Sequence, residues 1–400
     1  MFRKILTTNI KDRSCMSKEY GSIYSYIYSY LKALFIVSFC IMTFSSCSDN
    51  DDPDPKKLPQ RTLIVYLAAD NNLYWEMDQR LDSIASGFTK NIDGRVIVYC
   101  DKGGSNPVLL ELKHDNTGKV YKEEIAVYEE QNSATKEVLQ NAIQQAMQQA
   151  PAESYGLLVW SHGWGWLPTG AYNNPYKTST KSIFIDGSTE MPISDFAAAI
   201  PDGVFDYIIM EACFMGAVEV AYELRNKTKN ILFSSGEIFV PGFIPVYPST
   251  LKYLFEKEAN LVQFTKEWFT YVTTEASTKW ATISVINTTE LENLATVIKE
   301  VGVPTRSSEL SGVQSFKGYS NNYHFFYDFG DVYERLLSEE KWNETKDLLN
   351  DIILYSANTT SFAGYTIHRH TGFTTHINGT FPVLDEYHKT LEWHKAVTAE

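Results

Sequence analysis

The sequence predicts an α/β protein: a mostly parallel sheet flanked by helices on both faces, with an edge β-hairpin and a C-terminal α/β extension. Three observations predict the sheet and its layers. Thr62–Ala69 (TLIVYLAA), Val96–Cys100 (VIVYC), Leu157–Trp160 (LLVW) and Phe205–Met210 (FDYIIM) are near-continuous apolar runs, as strands buried on both faces must be. Segments with helical spacing separate them, and such alternation marks a doubly wound sheet. The composition, 44% hydrophobic against 21% charged over 400 residues, supports a sizeable core.

Along the chain, residues 1–46 read as an export signal. Lys32 precedes Ala33–Phe44 (ALFIVSFCIMTF), an apolar run too short to span a bilayer and of the length of a secretory signal. Ser45-Ser46-Cys47 resembles the lipobox of bacterial lipoproteins, which implies lipidation of Cys47 and anchoring of the exported protein to the cell envelope. A plain cleaved signal or a membrane anchor are the alternatives. Residues 47–60, acidic and Pro-punctuated, form a flexible tether.

The core is expected over residues 61–260. The first strand closes at Asp70-Asn71-Asn72, and Leu73–Phe88 has helical spacing. Val108–Val127 alternates around Asp115-Asn116-Thr117-Gly118 and reads as a hairpin. A helix over Thr135–Gln149 takes Ser133 as its N-cap. Leu167–Thr180 reads as a long exposed loop, followed by a short strand at Ser182–Ile185 and a helix at Ile193–Ile200. Ala217–Leu224 is a helix and Ile231–Ser234 a strand. The remainder, 261–400, is an extension packed on the core. It has helices at Leu261–Ala276, Glu290–Glu300 and Glu340–Tyr355, and strand pieces at Ala281–Ile286, Tyr365–His368 and Thr380–Val383.

Charge and cysteine usage narrow the function. A net charge of -14 argues against a nucleic-acid partner, which calls for a basic footprint. Of five cysteines, Cys15 and Cys40 lie in the signal and Cys47 is the lipidation candidate, leaving Cys100 and Cys213. Cys100 sits in an apolar strand and reads as a small core hydrophobe. Cys213 does not. The run LLVW leads into Ser161-His162-Gly163-Trp164-Gly165, and FDYIIM leads into Glu211-Ala212-Cys213-Phe214-Met215-Gly216. Ligands of open α/β sheets bind outside the carboxyl ends of the strands, so this order sets an imidazole beside a thiol. The imidazole would take the thiol proton and return it to a leaving group. A helix opened by Gly216 would favour the thiolate, and glycine at 163 would admit a substrate carbonyl to its N–H. The plain alternative is a strand-end histidine and an inert core thiol.

These two segments, with Ala69-Asp70-Asn71-Asn72 and Ser234-Ser235-Gly236-Glu237, resemble the clostripain family of cysteine peptidases, well over about residues 60–260 and more loosely beyond. The resemblance implies the caspase-like fold, His162 as general base, Cys213 as nucleophile, and an oxyanion hole from the Gly163 and Cys213 N–H groups. It requires no third triad member. It further implies protein or peptide substrates cleaved after Arg or Lys, because the acidic residue two before the cysteine lines S1 in relatives. Here that residue is Glu211 rather than Asp, with Glu237 as a second S1 candidate. An ion pair at the sheet edge is the alternative for Glu211. Self-cleavage between His162 and Cys213 is known in the family, and Lys177 and Lys181 are the candidate sites. No organic cofactor is implied; calcium is implied only by relatives. A monomer is expected.

Two features point elsewhere. His368, His370 and His376 match no metal-ligand spacing and read as surface or strand histidines, so no metal is expected. Trp164-Gly165-Trp166 reads as the rim of the site. The rival function is a catalytically inactive surface lipoprotein of the same fold that binds peptide or glycan.

Overall fold

All eight residues of β1 (Arg61–Ala68) are buried, as the apolar run requires of a strand covered on both faces. The computed structural model describes residues 57–176, 183–187, 189–319 and 322–398. The strands that follow are β2 (Gly94–Asp101), β3 (Val108–His114), β4 (Val120–Val127), β5 (Ser154–Trp160), β6 (Ile183–Asp186), β7 (Thr189–Met191), β8 (Phe205–Glu211), β9 (Thr228–Phe233), β10 (Thr282–Asn287), β11 (Ser315–Phe316), β12 (Phe326–Asp328), β13 (Ile353–Asn358), β14 (Ser361–Phe362), β15 (Tyr365–Thr366) and β16 (Thr374–Thr375). The main sheet has nine strands in the order β13-β10-β9-β8-β5-β1-β2-β3-β4. The five inner strands, β9 to β2, are parallel. The β3–β4 hairpin closes one edge antiparallel, as expected, and β10 with β13 closes the other.

Alternation along β1 sorts side chains into two layers. Leu63, Val65 and Leu67 meet Met77, Leu81 and Ile84 of the helix Met77–Gly87, and Phe264 and Trp268 belong to the same layer through Leu261–Thr274. Ile64, Tyr66 and Ala68 face the opposite layer, with Leu139 and Ile143 of Lys136–Gln149, Phe196 of Ile193–Ala199 and Val218 of Val218–Glu223. Each fully buried Val, Leu or Ile contributes about 1.5–3 kcal/mol.

Several expectations are corrected. Ser133 does not cap its helix; Thr135 is the N-cap residue, and the Ser133 N–H donates to Asp186 at 2.6 Å. The loop after Trp166 is not exposed throughout, since Leu167, Ala171 and Tyr172 are buried. The helix expected over Glu340–Tyr355 ends at Ile352, where Ile353–Asn358 turns into β13 and pairs with β10. Thr380–Val383 is not a strand: Pro382 opens the helix Pro382–His388, a position where its fixed φ and missing N–H cost nothing.

Residues far along the chain reach back to the segment after β8. The Thr374 N–H donates to the Gly216 carbonyl at 2.9 Å, Thr374 Oγ1 donates to the same oxygen at 3.1 Å, and the His376 N–H donates to Glu219 at 2.8 Å. No helix among the described residues is long and apolar enough to cross a membrane.

Candidate active site

From β1 the chain runs to β2 on one side, whereas β5, β8 and β9 build outward on the other, so the strand order reverses between β1 and β5. Such a reversal opens a crevice at the carboxyl ends of the strands. Asn72 follows β1, His162 follows β5 and Cys213 follows β8, with Trp160 and Glu211 in register on the last two. Gly163 is required by the closeness of the two loops: a Cβ there would lie 2.8 Å from the Cys213 carbonyl oxygen and 2.9 Å from the Ala212 Cβ. His162 and Cys213 line one cavity of about 230 Å³.

The imidazole is held from behind. His162 Nε2 lies 2.6 Å from Asn72 Oδ1, and an amide oxygen accepts, so Nε2 carries the proton and Nδ1 is left as the basic nitrogen. Asn71 fixes the turn that presents Asn72: its Nδ2 donates to the Ile185 carbonyl at 2.7 Å and its Oδ1 accepts from the Leu73 N–H at 2.9 Å. Burial lowers the imidazole's pKa, so the ring is neutral and can accept a proton at neutral pH. Asn72 was not assigned from sequence, although its place in the turn closing the first strand was visible.

The thiol is engaged elsewhere. Cys213 Sγ accepts from the Ile238 N–H at 3.4 Å. Burial, and then the nearby Glu237 carboxylate, push the thiol up to about 12. The expected helix does not help it. That helix starts at Val218 and has six residues, too far along to act on the sulfur. Phe214, at φ 58, makes the turn between Cys213 and the helix instead.

Glu211, expected in S1 or else in an ion pair, lines the cavity and is in an ion pair with Arg80. Arg80 donates to it through Nη2 at 2.7 Å and Nε at 3.1 Å, the Phe243 N–H at 2.7 Å and the Tyr247 hydroxyl at 2.5 Å. Sequence reasoning missed Arg80, which sits on a helix 131 residues upstream with nothing to mark it as buried. Glu237 does reach the cavity. It accepts from the Tyr172 hydroxyl at 2.9 Å and the Tyr319 N–H at 3.1 Å, and burial raises its pKa.

Trp164 belongs to the rim, stacked on Tyr172 with ring centroids 3.9 Å apart. Trp166 does not: it is buried in the core against His376. His376 is itself buried and paired with Asp385 at 2.9 Å, and His370 binds the hydroxyls of Ser356 and Ser235, so of the three histidines only His368 is at the surface. Lys177, Lys181 and Cys47 lie outside the described residues.

The model of the clostripain family (Peptidase C11) matches residues 65–377. An inactive zymogen C11 protease from Parabacteroides distasonis is 31% identical with a TM-score of 0.76, over 86% of this chain and 99% of that one. A secreted C11 cysteine protease from Bacteroides thetaiotaomicron, solved with an irreversible peptide inhibitor, is 27% identical with a TM-score of 0.72, over 84% and 98%. Comparison with curated proteins gives no match.

Proposed function

This chain belongs to the clostripain family, and we propose that it is a cysteine endopeptidase acting through a Cys213 thioester. The observation that carries the reading is the placement of His162 and Cys213 on neighbouring parallel strand ends, lining one cavity. His162 Nδ1 takes the thiol proton as Sγ attacks the substrate carbonyl carbon. The Gly163 and Cys213 N–H groups hold the resulting oxyanion. The C–N bond then breaks and the departing amine takes the proton from His162. Water, deprotonated by the same imidazole, hydrolyses the thioester and regenerates the thiol.

The neutral thiol on Ile238 and the imidazole on Asn72 support a precursor state that rearranges before turnover. A zymogen form is described for the Parabacteroides distasonis relative. Self-cleavage between His162 and Cys213, at Lys177 or Lys181, is the proposed trigger. Purified protein splits into two fragments, Cys213→Ala protein stays whole, and sequencing the new terminus reads the residue cut after. An intact and active wild type overturns it. The same observations favour the second reading, a surface lipoprotein that binds without cleaving. A peptidyl thiol-reactive probe separates the two. Labelling that is lost in Cys213→Ala supports the peptidase, whereas no labelling and no turnover of any reporter peptide sinks it.

Peptides with Arg or Lys are the substrates suggested by the resemblance, with Glu237 the acid left to favour them. No cofactor is proposed, and EGTA should leave turnover unchanged; a loss would assign calcium. A monomeric enzyme, exported like the secreted Bacteroides thetaiotaomicron relative and lipidated at Cys47, completes the reading. Incorporation of a labelled fatty acid that fails in Cys47→Ala tests the anchor.

A further inference from the structure

Glu237 is fixed beside Cys213 twice, by its backbone and by its side chain. On one side of it in the chain, the Gly236 carbonyl accepts from the Phe214 N–H at 2.9 Å; on the other, the Ile238 N–H donates to Cys213 Sγ at 3.4 Å. While both bonds hold, the residue between them stays next to the thiol, and its carboxylate lines the same cavity. One donor then holds each carboxylate oxygen: the Tyr172 hydroxyl on Oε1 at 2.9 Å and the Tyr319 N–H on Oε2 at 3.1 Å. A carboxylate offers about four lone-pair sites, so two donors leave acceptor capacity on both oxygens. An ammonium can use it, and a guanidinium can use both oxygens at once.

Tyr172 lies on the loop between the two motifs, yet only 4% of it is exposed. Its ring stacks on Trp164 with centroids 3.9 Å apart and meets Phe214 at 5.7 Å. Those two rings belong to the segments that carry His162 and Cys213, so the packing that orders both loops also aims the hydroxyl at Glu237. The 317–319 segment closes against that hydroxyl: a Cβ on Gly318 would stand 1.5 Å from Tyr172 Oη and 3.0 Å from Glu237 Oε1. We infer that Tyr172 is a positioning residue for substrate selection, its hydroxyl setting the Glu237 carboxylate to receive the basic side chain of a substrate. This rests on the peptidase reading and on Glu237 as its acid. Burial pushes the Glu237 carboxyl up, and the bonds from Tyr319 and Tyr172 oppose that, keeping it closer to the charged form. Tyr172 precedes Lys177 and Lys181 in the chain, so a cut after either leaves it joined to the His162 strand.

The experiment compares two reporter peptides identical except at P1, arginine against citrulline, its uncharged isostere. The wild type favours arginine in kcat/KM by about tenfold or more, and Glu237→Gln removes most of that preference. Tyr172→Phe keeps the ring and deletes only the hydroxyl. It raises KM for the arginine peptide more than it changes kcat, and lowers the arginine-to-citrulline ratio about three- to tenfold. In Glu237→Gln protein the same substitution moves the ratio less than about twofold, because the bond it removes acts through that carboxylate. A ratio unmoved by Tyr172→Phe, an equal fall in kcat for both peptides, or the same shift with and without Glu237 overturns the inference. So does a wild type that cleaves both peptides equally, which leaves the peptidase reading standing. If Tyr172→Phe does not fold, Gly318→Ala displaces the same hydroxyl and must lower the ratio likewise; an unmoved ratio there overturns the inference. If neither peptide is cleaved, the peptidase reading fails. Fluorescence anisotropy of the two peptides on Cys213→Ala protein, with and without Tyr172→Phe, then gives the ratio from binding. A ratio that Tyr172→Phe leaves unmoved, or binding of neither peptide, overturns the inference as well.

Discussion

The floor of the cavity and its rim are built on opposite principles. At the floor, Arg80 and Glu211 are fully buried, bonded twice to each other, stacked on Trp160 and closed over by Gly242. At the rim, the imidazole of His162 has one bond, to the exposed Asn72, and the Cys213 sulfur rests on the Ile238 backbone. A buried charge pair must be saturated to exist at all, so the floor has one arrangement. Reacting groups in a resting site are often loosely aligned and tighten only with substrate. The floor is saturated with hydrogen bonds, whereas His162 and Cys213 at the rim are held by few.

The contrast can be broken from either side. Cys213→Ala should lower turnover by about 10³-fold or more while leaving the thermal midpoint nearly unchanged. A large loss of stability would mean that the rim also holds the fold. Arg80→Ala should do the reverse first, costing about 3–5 kcal/mol in denaturant melts because Glu211 is left buried and unpaired. A change below about 1 kcal/mol would show the pair to be dispensable.

Asn72→Ala should reduce kcat about 10- to 100-fold with KM little changed, since the ring loses its orientation. The pH profile distinguishes positioning from general damage. In Asn72→Asp a carboxylate faces the Nε2–H and raises the imidazole pKa, so the acid limb of kcat/KM moves to higher pH. An unmoved limb sinks the role. The smallest effect is expected at Glu237. Its charge raises the Cys213 thiol, so Glu237→Gln lowers it and speeds alkylation by iodoacetamide at pH 8 by about threefold. Slower alkylation would contradict that sign.

The strands that position the site were legible because burial on both faces writes itself as an unbroken apolar run. Leu157–Trp160 and Phe205–Met210 are found where that pattern places β5 and β8. Ile353 was not legible: its local sequence continues a helix, and only β10 lying alongside makes it a strand. Arg80 was hidden for a related reason. A charged residue on an amphipathic helix reads as solvated, and the carboxylate that draws it inward is 131 residues away. Glu211 was therefore seen without its partner.

The hydrogen bonds from Thr374 and His376 to Gly216 and Glu219 set an order of events in the life of the chain. A polypeptide emerges amino end first, and its parts fold as they become available. His162 and Cys213 leave the ribosome well before the segment that braces the stretch after Cys213. A protein lacking its last thirty or so residues would carry His162 and Cys213 without the support behind Gly216 and Glu219. The support behind Cys213 is thus completed only when the segment around Thr374 has folded onto it.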